Sequence, residues 1–268
     1  MAVNDKRLTV TEFDFDDVKQ NLKTFLRGQT EFTDYDFEGS GMSALLDVLA
    51  YNTHYLGFNA NMLANEMFLD SSQLRSSVVS HAKTLGYTTR SATASNAVVD
   101  IFLNTTNSSA TMPAGTVFSA SVEEESYQFV TIAEAVAFNN GSNIVFDDIR
   151  IYEGSYVSSR YVADTQNVEQ RFLINDNRVD TTTLSVVVQN SATDTIQTTF
   201  TQATDIAALT STSNVYFIQE VEGGQYEIYF GDGILGSAIE DGNIIIMQYV
   251  VTNKGAANGA STFTSSTA

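Results

Sequence analysis

Residues 82–103 read AKTLGYTTRSATASNAVVDIFL, and the fold class changes within this stretch. Before and at the start of this stretch, apolar residues recur at spacings of three and four, and Gly86 is typical of a helix end. At the end of the stretch, residues 97–103 form an apolar, β-branched run typical of a strand. Residues 88–96 predict a break between the two patterns. The sequence therefore predicts an α+β chain, with an N-terminal helical segment followed by a mainly antiparallel β-rich region.

The helical segment is expected to span residues 1–90, with helices at about 15–27, 41–69 and 72–85. The second helix is the longest, and its apolar stripe is broad. A helix that is apolar on several sides must bury more than one stripe, so we expect this segment to join an inter-subunit bundle. The candidate partner interface consists of Leu45, Leu46, Leu49, Leu56, Met62, Leu63 and Met67.

The β-rich domain is expected to span residues 91–258, and residues 259–268 are interpreted as a linker or as a cut through a longer chain. The clearest hairpin joins residues 215–221 to 226–230 through Gly223-Gly224, because glycine supplies the positive φ of a tight turn. Further strands are expected at 97–103, 117–120, 127–132, 143–152, 169–174, 184–188, 196–200 and 243–251.

The charge balance excludes several functions. The 268 residues hold 13 Lys and Arg against 32 Asp and Glu, a net charge of −19. This argues against a nucleic-acid partner and against an anionic membrane surface, since both need clustered basic residues. With no Cys and two His, thiolate metal sites are excluded and histidine sites are disfavoured. Residues 1–7 do not resemble a signal peptide, which favours assembly in a cytoplasm.

Two glycine-containing motifs are interpreted as structural turns. Phe230, Gly231, Asp232 and Gly233, with Gly236 beyond them, lack the oxygen ligands of a calcium loop and the lysine of a phosphate-binding loop. We expect glycines at positive φ there and an Asp232 side chain bonded to nearby backbone. Pro113 and Gly115 predict a turn before a strand, because proline fixes φ and glycine relaxes it.

Catalytic chemistry has weak support. His54 and His81 lie on separate predicted helices without a placed carboxylate, so each is interpreted as an amphipathic or interface position. Paired carboxylates occur at Asp147-Asp148, Glu220 with Glu222, and Glu240-Asp241, but neighbours in a strand point to opposite faces. We therefore predict no enzyme, no catalytic or metal-ligating residue, no cofactor and no small-molecule substrate.

The order of the motifs resembles the baseplate wedge proteins of contractile, T4-like phage tails, the baseplate J-like family. Three stretches carry the likeness. The first runs from Asp36-Phe-Glu-Gly-Ser-Gly-Met-Ser-Ala-Leu-Leu46 to Ala82-Lys-Thr-Leu-Gly-Tyr87 and resembles the family's N-terminal helical region. The second is Met112-Pro-Ala-Gly-Thr-Val-Phe118. The third is Tyr229-Phe-Gly-Asp-Gly-Ile-Leu-Gly236 with the strand after it.

The resemblance implies a structural role in the virion, at the tail baseplate. Such proteins form the core of each baseplate wedge, often as two copies, and pack helices with another wedge protein in a bundle. They join neighbouring wedges into a ring, which changes diameter when the sheath contracts. The implied partners are other copies of the chain and other wedge proteins, with no cofactor.

Two other readings stay open at this point. The first is an acidic, β-rich binding module, such as a receptor- or glycan-binding tail protein, in which exposed Tyr152, Tyr156 and Tyr161 stack on sugars. The second is a hydrolase that uses a pair of carboxylates.

Overall fold

The computed structural model describes residues 14–28, 35–139, 141, 143–167 and 169–265. The chain divides into two compact units, Met1–Tyr87 and Thr88–Ala268. The first unit is helical and the second is β-rich, so the predicted α+β class is confirmed. Residues 1–7, which bear on the signal-peptide expectation, lie outside the described residues. Within the described part of the chain, no helix has both the length and the hydropathy needed to cross a bilayer.

Three helices are described in the helical unit: α1 at Phe15–Arg27, α2 at Gly41–Glu66 and α3 at Arg75–Thr84. α2 runs through Gly57 without interruption, although glycine weakens a helix interior by about 1 kcal/mol relative to alanine. It ends at Glu66 rather than at Leu69, and α3 begins at Arg75 rather than at residue 72.

Local side chains start the first two helices. The Asp14 carboxylate accepts a hydrogen bond from the Asp16 N–H at 3.1 Å, and the Ser40 hydroxyl accepts one from the Ser43 N–H at 3.0 Å. Each bond satisfies a backbone donor that the first turn of a helix leaves without a partner.

Gly86 ends α3, as the sequence predicts. Its φ is +72°, and its N–H donates to the Lys83 carbonyl at 3.0 Å. The Tyr87 N–H donates to the Ala82 carbonyl at 3.0 Å. These paired bonds form a Schellman motif, which requires a left-handed residue at the position of Gly86.

The β-rich unit contains two large sheets and one small sheet of two strands. In chain order the strands are β1 (Asn96–Leu103), β2 (Ser109–Met112), β3 (Val117–Val122), β4 (Glu125–Thr131), β5 (Ala135–Phe138), β6 (Ile144–Glu153), β7 (Ser155–Val162), β8 (Phe172–Ile174), β9 (Val179–Gln189), β10 (Gln197–Gln202), β11 (Val215–Glu220), β12 (Tyr226–Phe230), β13 (Ile244–Val251) and β14 (Thr264–Ser265). The first sheet has the order β1-β6-β4-β3-β14, and the second has the order β7-β13-β9-β10-β11-β12-β8. β2 and β5 form the two-stranded antiparallel sheet, and only the β10–β11 pair is parallel among the described strands.

Gly154 takes the chain from the first sheet to the second, between β6 and β7. Its φ is +124°, and a side chain there would collide with the Val251 carbonyl oxygen. The adjacent Glu153 is fully buried, and its carboxylate accepts bonds from the Thr252 hydroxyl at 2.7 Å and the Asn253 N–H at 2.9 Å. The end of β6 is therefore tied to the segment that follows β13.

Each sheet has its own apolar core. The first is built around Phe118, Phe129, Ile144, Phe146 and Ile151. The second is larger, and aromatic rings meet edge to face inside it. Its main members are Phe172, Ile174, Val179, Val186, Phe200, Tyr216, Tyr226, Ile228, Ile245 and Met247.

Several strands were missed by the sequence pattern. β2 and β5 are short, and in β7 the apolar residues occur in adjacent pairs, Tyr156-Val157 and Tyr161-Val162, instead of alternating with polar ones. Within the predicted linker 259–268, Phe263 packs edge-on against Phe129 at 5.0 Å, and β14 pairs with β3. The described part of that range is thus packed on the β-rich unit.

Candidate interaction surface

α1 packs on one side of α2. Val18 is buried in α1, and Leu46 and Ala50 are buried in α2. The Lys19 ammonium lies 2.6 Å from the Asp47 carboxylate, and this hydrogen bond raises the pKa of Lys19. Leu46 is only 3% exposed, so it belongs to the interior of the helical unit and does not face a partner, contrary to the sequence-based prediction.

Glu66 ties the end of α2 to the start of α3. Its carboxylate accepts hydrogen bonds from the Gln73 N–H at 2.9 Å and the Leu74 N–H at 3.3 Å. The Ser77 hydroxyl, followed by these backbone donors, holds the pKa of Glu66 below its usual value. The His81 ring lies 2.9 Å from the Glu66 carbonyl, so His81 has a structural contact within the unit. Sequence spacing alone gives no sign of this cap, because Glu66 lies outside the helix it caps.

The opposite side of α2 exposes a first apolar row, which we call the aromatic stripe. Its residues follow the alternating spacing of three and four that forms the seam of a coiled coil. The Tyr51 and Tyr55 rings stack with centroids 6.2 Å apart. The stripe consists of Val48, Tyr51, Tyr55, Phe58 and Met62, each between 43% and 65% exposed.

A second exposed row, the leucine stripe, runs along another side of the same helix. It consists of Leu45, Leu49, Leu56, Leu63 and Met67, each between 52% and 68% exposed. The polar side chains of Asn52, Asn59 and Glu66, which recur every seven residues, separate the two stripes. The partner interface predicted from the sequence contains all five members of this row, together with Met62 of the aromatic stripe and the buried Leu46.

The two stripes give α2 an unusual surface for an isolated chain. Of its 26 residues, only Ser43, Leu46 and Ala50 are buried. Monomeric proteins rarely expose contiguous apolar patches larger than a few hundred Å², and larger patches mark interaction sites. α1 covers one side of α2, so the aromatic stripe and the leucine stripe leave two further sides on which apolar helices can pack.

The turn after β12 contains the glycine motif predicted to be structural. A side chain at Gly231 would collide with the backbone of Leu235 and Gly236, although its φ is ordinary. Gly233 and Gly236 have φ of +83° and +87°. Phe230 packs edge-on against Phe172 with ring centroids 5.7 Å apart, which fixes the turn to the second core.

Asp232 serves the backbone of this turn. Its carboxylate accepts hydrogen bonds from the Ile234 N–H at 2.9 Å and the Leu235 N–H at 3.0 Å. These bonds lower the pKa of Asp232, so the carboxylate stays charged at neutral pH. Among the described residues, no group of three or more His, Asp or Glu side chains could hold a metal ion.

The second motif turn precedes β3. Gly115 has a φ of +83°, and its N–H donates to the Thr131 carbonyl at 2.7 Å. The Pro113 carbonyl accepts from the Thr116 hydroxyl at 2.7 Å and from the Thr131 hydroxyl at 3.1 Å. This network joins the turn to the end of β4.

The carboxylate pairs separate into different local roles. Glu220 is buried and accepts a hydrogen bond from the Tyr226 hydroxyl at 3.3 Å, whereas Glu222 is exposed. The Asp241 carboxylate accepts from the Thr165 N–H at 3.2 Å. Asp148 has a φ of +54° and lies at an irregularity of β6. The described contacts therefore assign Glu220 and Asp241 to local structure and do not bring the paired carboxylates together as an acid–base pair.

The three tyrosines that the glycan-binding hypothesis requires to be exposed are not exposed. Tyr152, Tyr156 and Tyr161 are all half-buried. The Tyr161 hydroxyl donates to the Leu173 carbonyl at 2.6 Å, and its ring meets Phe172 edge to face. Burial raises the pKa of Tyr156 and of Tyr161. The expectation that these rings are exposed for sugar stacking is wrong: all three are half-buried, with Tyr156 close to the turn at Gly115 and Tyr161 against the second core.

Comparison with known proteins agrees with this arrangement. Residues 14–87 match the family model of the helical domain of gp6-like baseplate wedge proteins. Residues 160–260 match the model of the third domain of bacteriophage baseplate wedge protein gp6. The chain is also 32% identical, over 268 residues, to baseplate wedge protein gp6 of Enterobacteria phage T4. That alignment covers 92% of this chain and 39% of the relative, so the chain spans well under half of the relative's length.

A helical domain and a β-rich domain of these two kinds define a structural protein of the bacteriophage tail. The chain belongs to the baseplate wedge protein family, with gp6-like domains in both of its units. This membership places it in the virion, at the tail baseplate. The resemblance to baseplate wedge proteins stated from the sequence is confirmed.

Proposed function

We propose that the chain forms part of the wedge core of a contractile tail baseplate by packing helices with other copies of itself and with other wedge proteins. The observation that carries the proposal is the exposed apolar surface of α2. Its aromatic and leucine stripes leave ten large apolar side chains exposed, nine of them within α2 and the tenth, Met67, at its C-cap. A folded helix keeps such a surface only when a partner covers it.

The form of the stripes suggests helical partners. Residues at alternating spacings of three and four form the seam along which two helices pack side by side. The aromatic stripe has this spacing over its whole length, from Val48 to Met62. We therefore assign one partner helix to the aromatic stripe and another to the leucine stripe, with two copies of the chain in each wedge.

The scarcity of charged residues in α2 favours a partner interface held by apolar contacts over one held by ion pairs. The only acidic side chains in α2 are Asp47, which pairs with Lys19, and Glu66, which caps α3. Neither stripe contains a charged residue. A partner helix therefore has to supply apolar side chains, and its affinity is expected to depend weakly on salt.

The change of conformation during sheath contraction is assigned to the helical unit. The buried residues of α1 and α2 are few, namely Val18, Ser43, Leu46 and Ala50, and the Lys19–Asp47 ion pair links the two helices. A contact this small can repack at low cost when partner helices move, as bistable bundles do. In this proposal the β-rich unit is a rigid, acidic arm without catalytic function.

A pull-down from infected cells tests the proposal. The full chain carries a tag, and the proteins that co-purify with it are identified and quantified by mass spectrometry. We expect other tail proteins at fixed stoichiometry, together with untagged copies of the chain. Recovery of the tagged chain alone, under conditions in which tails assemble, would contradict the proposed function.

A further inference from the structure

Thr88–Ser95, which we call the strap, leads from the end of the helical unit to β1. It forms neither helix nor strand, and it belongs to the β-rich unit. Its sequence is TTRSATAS, so apart from Arg90 all of its side chains are small. The strap therefore buries no large apolar side chain, and polar contacts hold it in place.

The outer part of the strap is held through side-chain hydroxyls. The Thr89 hydroxyl donates to the carboxylate of Glu220. The Ser91 hydroxyl lies 2.9 Å from the Thr181 hydroxyl and accepts a hydrogen bond from the Thr181 N–H at 2.9 Å. Residues 88–93 are exposed or half-buried.

The inner end of the strap is held through its backbone. The Ala94 N–H donates to the Asp180 carboxylate at 2.8 Å, and the Ser95 carbonyl accepts from the Glu153 N–H at 2.8 Å. Ala94 and Ser95 are only 4% and 8% exposed. Attachment therefore strengthens along the strap, from an outer part fixed by hydroxyl groups to an inner end fixed by buried amides.

We propose that the strap is a releasable tether, in which Thr88–Thr93 detaches as one piece while Ala94 and Ser95 stay anchored. Detachment breaks polar contacts, among them the bond from the Tyr226 hydroxyl to the Thr89 carbonyl at 3.5 Å, but withdraws no large apolar side chain of the strap from the core. It therefore belongs to the local openings of a folded chain, which cost less than global unfolding. An extended chain spans at most 3.3–3.6 Å per residue, so release adds roughly 20 Å of free chain after Tyr87. The inference rests on the proposed function, because it lets a wedge subunit move its helical unit without unfolding either unit.

Amide hydrogen exchange of the purified full chain tests whether the strap opens. The Thr181 N–H reports on the opening, because its partner is the Ser91 hydroxyl. We expect it to exchange at least about tenfold faster than the amides of Val186 and Val188 in the same strand, since local openings bypass global unfolding. Exchange of Thr181 as slow as that of Val186 and Val188 would overturn the proposal.

An engineered disulfide that locks the strap onto the β-rich unit, compared with a control disulfide elsewhere, tests the same opening. The chain has no Cys, so Ser91→Cys with Thr181→Cys creates a single pair of thiols at two hydroxyl positions that are already in contact. Because this pair replaces Thr181 and the Ser91 hydroxyl, its effect is read by trypsin cleavage after Arg90, which needs a locally opened chain. Oxidation should slow this cleavage, and reduction should restore it. The control pair is Ser121→Cys with Ser126→Cys, at exposed facing positions of the β3–β4 hairpin, and its oxidation should leave cleavage after Arg90 unchanged. Equally fast cleavage after Arg90 in the oxidised and the reduced strap pair would also overturn the proposal.

Phage carrying the same pairs test the role of the tether. Tails with the oxidised strap pair should assemble but fail to contract until a reductant is added, whereas tails with the control pair should contract normally. Normal contraction with the strap locked would refute the tether. Failure of the chain to co-purify with any tail protein would instead refute the proposed function, and it would leave the exchange result unaffected.

Discussion

Replacing Leu56 by Asp tests the leucine stripe most sharply. In the free chain Leu56 is 59% exposed, so the charged side chain remains hydrated there. The cost to the folded chain is mainly the lower helix propensity of Asp, about 0.5 kcal/mol. For a chain of this size such a change shifts Tm by about 2 °C.

In the assembled wedge the same substitution has a much larger effect. Covering the exposed part of a leucine side chain contributes about 1–2 kcal/mol at 25 cal/mol per Å². Burying an unpaired carboxylate adds a penalty of several kcal/mol. Together these terms weaken association by at least about 4 kcal/mol, which is a factor of roughly 1,000. Leu56→Ala removes only the apolar term and should weaken association about tenfold.

The assay measures incorporation of tagged variants into tails, relative to untagged chain in the same cells. Gln20→Glu is the control, because it adds one negative charge at an exposed polar position of α1. We expect wild-type incorporation for the control, reduced incorporation for Leu56→Ala and none for Leu56→Asp. Normal incorporation of a folded Leu56→Asp chain would refute the reasoning, since the leucine stripe would then remain in water.

Three further predictions concern stability. The fold lowers the pKa of Glu66, so the contribution of its carboxylate to folding stability is present at neutral pH and is lost as pH falls below the usual pKa of 4.5. Glu66→Gln should therefore lower the Tm of the helical unit at pH 7 and make that Tm less sensitive to acid, as measured by circular dichroism. Gly231→Ala places a methyl group against backbone and should destabilise the β-rich unit by at least about 2 kcal/mol in urea, whereas Gly41→Ala, where space is open, should be neutral or stabilising. Asp180→Asn places an amide N–H where the carboxylate accepted from the Ala94 N–H, and should lower the free energy of unfolding of the β-rich unit by about 1–3 kcal/mol. An unchanged midpoint of urea unfolding would contradict the buried hydrogen bond.

Local signals in the sequence were sufficient for much of the fold. The three- and four-residue spacings located the helices, because packing on one side of a helix imposes that period. Gly86 and the Gly223-Gly224 pair were recognised as end and turn because each needs positive φ, and their φ values are +72°, +77° and +75°. The motif turns at Gly115 and Gly233 follow the same logic.

Other features depend on contacts distant in sequence and left no local pattern. Because α2 is apolar on several sides, its sequence could not show that Leu46 faces α1 while Leu49 faces solvent. The buried Glu153 carboxylate is satisfied by donors about 100 residues away, and one oxygen of Asp180 accepts from the Ala94 N–H, 86 residues away, so no spacing rule identifies these bonds. The half-burial of Tyr161 likewise follows from strand order in the second sheet.

The β3–β4 turn shows a different kind of exception. Glu123 and Glu124 both adopt positive φ, at +50° and +73°, where glycine or asparagine is usual. The sequence still predicted strands at 117–120 and 127–132, and the acidic residues 123–125 between them are typical of an exposed turn. Turn position was therefore predictable from polarity, but turn geometry was not.

Hydroxyl-radical footprinting of purified tails tests the central claim most directly, because it reads the exposure of side chains in the assembled baseplate. Met62, Tyr51, Tyr55 and Phe58 are exposed in the free chain and react readily with radicals, whereas buried Met247 serves as an internal reference. We expect oxidation of the aromatic stripe to fall at least about tenfold between the free chain and the tail, as burial in an interface core requires. Equal oxidation in both states would show that the stripe stays exposed, and it would contradict the helical interface on which the proposed function depends.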